Sequence, residues 1–193
     1  MNNDDKLQAL LDEREIIQAL TRYTRGLDRH DDALIESAFW PDATDWHADQ
    51  ARNPTELSSW GNDLHATHTR GHQHFLSNFT IEIDGDEAHV ETYVNFVLWR
   101  RNAPMVDISG GRYLDRMERR NGEWRIAERV VVVDWTSEAP EGTDPKGTLK
   151  HYVWGSWGQE DPSFARPLSG DVALAAKAAK AGKAPGAGEA PAA

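Results

Sequence analysis

Residues 79–101 read FTIEIDGDEAHVETYVNFVLWRR, and their alternation decides the fold. Phe79, Ile81 and Ile83 are spaced by two, with Thr80 and Glu82 between them, which is the period of a strand with one buried face. Asp84-Gly85-Asp86 then supplies turn residues. Beyond the turn Val90, Thr92, Val94, Phe96 and Leu98 share one face, while Tyr93, Asn95, Val97 and Trp99 share the other. Both faces carry large apolar groups, so one is expected to meet helices and the other a subunit partner.

Working outward, the same period extends back to His68 and recurs twice further on. A third strand is expected from Val106 to Arg120, and Asn121-Gly122 is a two-residue hairpin signal. A fourth runs from Glu123 to Thr136; its Val130-Val131-Val132-Val133 run predicts burial on both sides. Gly110-Gly111 is a natural place for the bulge that a strongly curved sheet requires. Toward the N-terminus the period changes. Leu7, Leu10, Leu11, Ile16, Ile17, Leu20, Tyr23 and Leu27 mark an amphipathic helix over 5–30. A short helix is expected from Asp31 to Phe39, stopped by Pro41, and a third from Pro54 to about Ala66. Helices first, then a meander of long antiparallel strands, is an α+β layout, with N-terminal helices packed on a strongly curved, mainly antiparallel sheet.

The chain has 193 residues, enough for one domain with a substantial core. Composition shifts near Ser169: residues 1–169 read as the folded domain, and 170–193, almost all Ala, Gly, Lys and Pro, as a disordered tail with one frayed helical stretch at 171–180. Without cysteine there is no disulfide, thiolate metal site or cysteine nucleophile, which fits a cytoplasmic setting. The charged N-terminus does not read as a signal peptide, and no apolar run is long enough to cross a bilayer. A net charge of -11 argues against nucleic acid as a partner. Eight tryptophans, among them Trp40, Trp46, Trp60, Trp99, Trp135, Trp154 and Trp157, are enough for several to line one aromatic pocket.

Several segments in order then carry a family pattern. Tyr23 to Asp28 (YTRGLD) is followed by Phe39-Trp40-Pro41-Asp42-Ala43, by His74 to Asn78, by Asp84 to Ala88, and by Gly111 to Ile126, a strand–turn–strand ending in Gly-x-Trp-x-Ile. Over residues 8–137 the chain resembles the SnoaL-like branch of the NTF2-like superfamily. That branch includes scytalone dehydratase, bile acid 7α-dehydratase, hexachlorocyclohexane dehydrochlorinase and the diarylpropane lyases of lignin breakdown. Residues 138–169, with His151, Tyr152, Trp154 and Trp157, have no assigned counterpart. The resemblance implies an NTF2-like cone, a homotrimer, and cofactor-independent lyase chemistry on a small hydroxylated aromatic compound: dehydration, or C–C cleavage that releases formaldehyde. It places a catalytic base at His74, its orienting carboxylate at Asp28, a tyrosine donor at Tyr23, and a leaving-group arginine at Arg129. Where scytalone dehydratase has a second pocket histidine on the following strand, this chain has Asn95, Val97 and Trp99. Trp40, Asn95, Trp99 and Trp135 are the expected substrate contacts. Two other readings within the superfamily are a non-catalytic scaffold of the dioxygenase β-subunit type and a relative of ketosteroid isomerase with a carboxylate base.

The residues support the chemistry on their own terms. An elimination needs a base near neutral pKa, a group that fixes its tautomer, and a donor for the leaving group. Histidine suits the first task, and a carboxylate such as Asp28 suits the second. An acid at the C-terminal end of a helix opposes the helix dipole, which favours a functional reason for Asp28. Arg129, amid valines, must be either paired or pocket-lining. His65, His68 and His72 raise a metal reading, but their spacing matches no zinc signature, and neither metal nor cofactor is expected.

Overall fold

The computed structural model describes residues 2–143, 147, 149 and 152–171. The chain divides into two compact units, Met1–Glu141 and Gly142–Ala193. Beyond residue 171 the disordered-tail expectation for 170–193, with its helical stretch at 171–180, lies outside the described residues, as does His151.

In the first unit the order is α1 (Asn3–Arg29), α2 (Asp32–Glu36), β1 (Phe39–His47), β2 (Gln50–Arg52), α3 (Pro54–His68), β3 (Thr69–Asp84), β4 (Glu87–Arg100), β5 (Met105–Arg120) and β6 (Glu123–Pro140). The six strands form one sheet in the order β2-β1-β6-β5-β4-β3, antiparallel throughout except for the β1–β6 pair. The helices and long strands therefore lie where their periods place them.

Caps set the helix ends. Asn2 and Asn53 each close a capping box at the start of α1 and α3, with Pro54 opening α3. From Asp12 onward α1 buries one stripe of Ile16, Ala19, Leu20, Tyr23 and Leu27, packed against Val90, Val94, Met117 and Ile126 of the sheet. Leu7, Leu10 and Leu11, which continue that stripe toward the N-terminus, are exposed. Asp12 fastens the helix to the sheet, accepting from Trp124 Nε1 at 2.9 Å and pairing with Arg119 at 2.9 Å. Gly26 is required by close approach: a Cβ there would stand 2.6 Å from Ile35 Cγ1, so α2 folds directly onto the end of α1.

Bulges decide which side chains face inward. His72, His74 and Leu76 of β3 lie opposite Leu98, Phe96 and Val94 on the inner face. At Asn78, whose φ is 48°, one extra residue shifts the parity, so that Phe79, Ile81 and Ile83 face inward beyond it. The expected bulge occurs at Gly110/Gly111. There β6 carries one extra residue: Val133 pairs with Gly111, whereas Trp135 pairs with Gly110 on the outer face. A Cβ on Gly110 would meet the Trp135 indole at 2.3 Å, so this position accepts no side chain.

Two expectations are corrected. The segment after Ala38 was expected to finish a helix running to Phe39; α2 instead stops at Glu36, and Phe39–His47 is a strand parallel to β6. Pro41 sits within a register shift between Phe39 and Thr44, where its missing N–H breaks no regular ladder. The valine run is not buried on both sides: Val130 is 41% and Val133 56% exposed. A strand in a single sheet has one face covered by helices; Val130 lies on the open outer face, while Val133 borders the inner cavity.

Among the described residues no helix is long and apolar enough to cross a membrane. In the second unit, Asp161 caps a 3-10 turn at Pro162–Phe164, accepting from the backbone N–H of Ser163 at 2.9 Å and of Ser156 at 2.7 Å.

Candidate active site

The last turn of α1 meets two alternate residues of β3, and this contact builds the site. Asp28 Oδ1 accepts from His74 Nδ1 at 2.7 Å, and Asp28 Oδ2 accepts from the His74 backbone N–H at 3.1 Å. The carboxylate thus holds both the ring and the strand that carries it. Because a carboxylate only accepts, the His74 proton sits on Nδ1, and Nε2 keeps its lone pair. One residue earlier on the helix, the Leu27 carbonyl accepts from His72 Nε2 at 2.9 Å. The C-terminal end of α1 therefore uses its acceptors to dock two imidazoles that the strand period points inward.

His74 lies on the wall of a cavity of about 340 Å³ that also includes Tyr23, His47, Trp60, His65, Phe96 and Tyr113. Most of the remaining wall is Leu or Val, among them Leu57, Leu98, Val131 and Val133. The volume is at the small end of ligand pockets and suits a compact ring compound. Phe96 stacks on His74 with ring centroids 5.9 Å apart.

Tyr23 and Tyr113 close one side edge to face, 5.7 Å between centroids. Burial pushes both phenols up from the usual tyrosine value, well up for Tyr23, so each remains a neutral O–H donor. Arg129 lies against these rings rather than on the cavity wall. Its guanidinium carbon is 4.3 Å from the Tyr23 centroid and 4.1 Å from that of Tyr113, and it forms a two-pronged pair with Asp115 at 2.6 and 2.7 Å. Both partners are fully buried. A direct contact between Arg129 and a leaving group, as anticipated from sequence, is not what this geometry offers; its charge reaches the cavity through the tyrosines.

The four expected substrate contacts also lie elsewhere. Trp40 is buried in the core with its Nε1–H donated to the Glu118 carbonyl at 2.9 Å, and the guanidinium groups of Arg120 and Arg125 each lie 5.0 Å from its ring centroid. Asn95 and Trp99 fall on the outer face of β4, by the alternation that turns Phe96 and Leu98 inward. Trp135 is turned outward by the bulge on β6. Of the tryptophans, Trp60 of α3 is the one on this cavity's wall.

A second histidine–carboxylate pair was missed. His47 lines the cavity and its Nδ1 is hydrogen-bonded to the buried Asp45 carboxylate. The signal was present: Asp45 and His47 are spaced by two in Ala43-Thr44-Asp45-Trp46-His47, as His72 and His74 are, but the stretch after Pro41 was assigned to no element. The second histidine thus comes from β1, not from the strand after His74. Trp60 packs on His47 at 5.4 Å and carries Arg52 over its ring at 3.9 Å.

Comparisons with known proteins agree with this architecture. Residues 8–130 match the SnoaL-like domain family, and the chain belongs to that family, within the NTF2-like superfamily. Among solved structures it is similar to a scytalone-dehydratase-like protein from Novosphingobium aromaticivorans, with 19% identity, 70% of this chain and 91% of that one covered, and a TM-score of 0.61. It is also similar to hexachlorocyclohexane dehydrochlorinase LinA-type3 from Novosphingobium barchaimii, at 16% identity, 72% and 99% coverage, and a TM-score of 0.66. A cystatin-like-fold protein of unknown function from Nostoc punctiforme matches at 27% identity, 64% and 92% coverage, and a TM-score of 0.55. No curated protein sequence matches the chain significantly. At such identities the first two likenesses establish the shared cone fold.

Proposed function

We propose that this protein is a lyase that removes water, or a hydroxymethyl carbon as formaldehyde, from a small hydroxylated aromatic compound, using side chains alone. The observation that carries the reading is the 2.7 Å His74–Asp28 hydrogen bond on the wall of an open, mainly apolar cavity. For a para-hydroxyaryl substrate His74 Nε2 takes the phenolic proton. The electron pair moves through the ring and expels the benzylic hydroxyl, which leaves as water with a proton supplied by His47, giving a quinone methide. Tyr23 and Tyr113, as neutral donors, stabilise the negative charge on oxygen as it develops. Where the side chain carries a hydroxymethyl group, loss of its O–H proton breaks the adjacent C–C bond. Formaldehyde departs and the bonding pair restores the phenolate. A diarylpropane of the kind released from lignin has both groups.

A scaffold subunit would fill this space with side chains; an open cavity bordered by two histidine–carboxylate pairs speaks for the enzyme. A lone carboxylate base gains no support: Asp45 and Asp115 are each already bonded, and neither is on the cavity wall.

The outer face of the sheet carries Phe75, Tyr93, Val130 and Trp135, each 41–51% exposed. Apolar exposure on that scale is characteristic of an interface, and in our reading copies of the chain cover it in a trimer.

The decisive experiment offers the protein para-hydroxyaryl propanediols and benzylic alcohols and measures formaldehyde and the conjugated alkene. Product from wild type and none from His74→Ala is the expected result. Equal turnover by both proteins rules the reading out.

A further inference from the structure

Beside the proposed catalytic pair, three other imidazoles converge from three different elements. His30 is the left-handed C-cap of α1 (φ 52°), His65 is in the last turn of α3, and His72 is on the inner face of β3. One ring nitrogen of each can be chosen so that all three lie within 4.8 Å of one another. The His65 and His72 rings are 3.8 Å apart, and His30 stands 5.5 Å from His72 and 6.3 Å from His65. We propose that His30, His65 and His72 form a binding site for a divalent transition-metal ion of the zinc class.

Protonation and hydrogen bonding both favour such an occupant. Burial and the neighbouring imidazoles hold His65 down to about 2 and His72 to about 4, and burial lowers His30 as well. Burial thus disfavours the charged form of each ring, and the neutral form is the one that ligates a metal. His72 gives its Nε2–H to the Leu27 carbonyl, which leaves the lone pair on Nδ1; a backbone carbonyl behind a metal-binding histidine commonly plays this orienting part. His65 Nδ1 is buried and has no hydrogen-bond partner among the described residues. A buried nitrogen without a partner is costly, and a cation that takes the imidazole lone pair removes the cost.

Closing the set is a small movement. A tetrahedral ion with Zn–N bonds of about 2.1 Å needs nitrogens about 3.4 Å apart, so the widest gap must shrink by about 1.4 Å at most, within reach of side-chain torsions. Asp28 and His74 converge on His72 as well, but the hydrogen bond between them engages Asp28 Oδ1 and His74 Nδ1, which favours the all-histidine set. Three nitrogen ligands leave one position of a tetrahedron open. Because His65 is on the cavity wall, the ion borders the substrate space, and it ties together the ends of α1 and α3 and the start of β3.

The test uses the full chain, stripped with chelator and then titrated with zinc chloride in a calorimeter, with magnesium chloride as the comparison cation. One equivalent of zinc should bind with micromolar or tighter affinity, magnesium should not, and saturating zinc should raise Tm by about 5–10 °C. His65→Gln and His30→Gln, each keeping the side chain's bulk, should weaken zinc at least tenfold. The surface variant His89→Gln should bind as wild type does. No zinc binding by wild type overturns the proposal, as does binding unaffected by His65→Gln and His30→Gln together. So does binding lost instead in Asp28→Asn. Melting curves of the metal-free variants show that each is folded. Turnover by the stripped wild-type protein reports on the lyase reading alone, so the two ideas fail separately.

Discussion

The Arg129–Asp115 pair and the His74–Asp28 pair are both removed from solvent and both tightly hydrogen-bonded, yet one of them borders the cavity and the other lies against the tyrosines that line it. Arg129 and Asp115 are fully buried and satisfy each other with two parallel bonds, in addition to which the guanidinium is flanked by aromatic rings. Such a pair costs desolvation and returns it only while both members are present. His74 spends one ring nitrogen on Asp28 and keeps the other available toward the cavity. The comparison teaches that burial and pairing do not mark a reacting group; an unspent atom facing open space does.

Variants can break or sharpen that contrast. The largest effect belongs to His74→Ala, which should lower kcat/KM by about 10²–10⁴-fold while moving stability by about 1 kcal/mol or less, since the group acts in proton transfer. Steady-state kinetics beside a urea melt checks both halves. Arg129→Met should reverse the pattern. Stranding Asp115 should cost about 3–5 kcal/mol of folding free energy, and adding Asp115→Leu should restore most of it. If instead Arg129→Met left stability intact and abolished turnover, the pair would belong to the chemistry after all.

Between these extremes, His47→Gln should lower kcat by about 100-fold if it supplies the leaving-group proton, with KM little changed. A substrate with a better leaving group should recover much of that loss. Tyr23→Phe removes a donor but not the ring, and about 10-fold in kcat/KM is expected, close to 1.4 kcal/mol. The smallest effect on the protomer should come from the outer face. Tyr93→Asp should change protomer stability by about 0.5 kcal/mol at most, yet convert a trimer to monomers in sedimentation.

Much of this was legible in the residues. The period-two run through Phe79–Ile83 and Val90–Leu98, the Asn121-Gly122 turn and the Gly110-Gly111 bulge placed four long strands, because alternation and turn chemistry are local. Pairing His74 with Asp28 across 46 residues needed the family pattern, and the hydrogen bond bears out that they meet. β1 is interrupted by Pro41 and the stretch after it was assigned to no element, so Asp45 and His47 went with it. Trp99 and Trp135 lie on the outer face for a related reason: one extra residue or one step of register moves a side chain to the opposite face.

The sequence by itself determined the α+β order, the boundaries of the four long strands to within a few residues, and which residue types were available for acid–base work. Those properties follow from periodicity and side-chain chemistry, which each short segment carries alone. Only the tertiary structure decided that Arg129 is sealed with Asp115, that His47 joins the cavity, and that His30, His65 and His72 converge. Each of these depends on bulges and on helix-to-strand docking, where a shift of a few ångströms, invisible in any one segment, selects the neighbour.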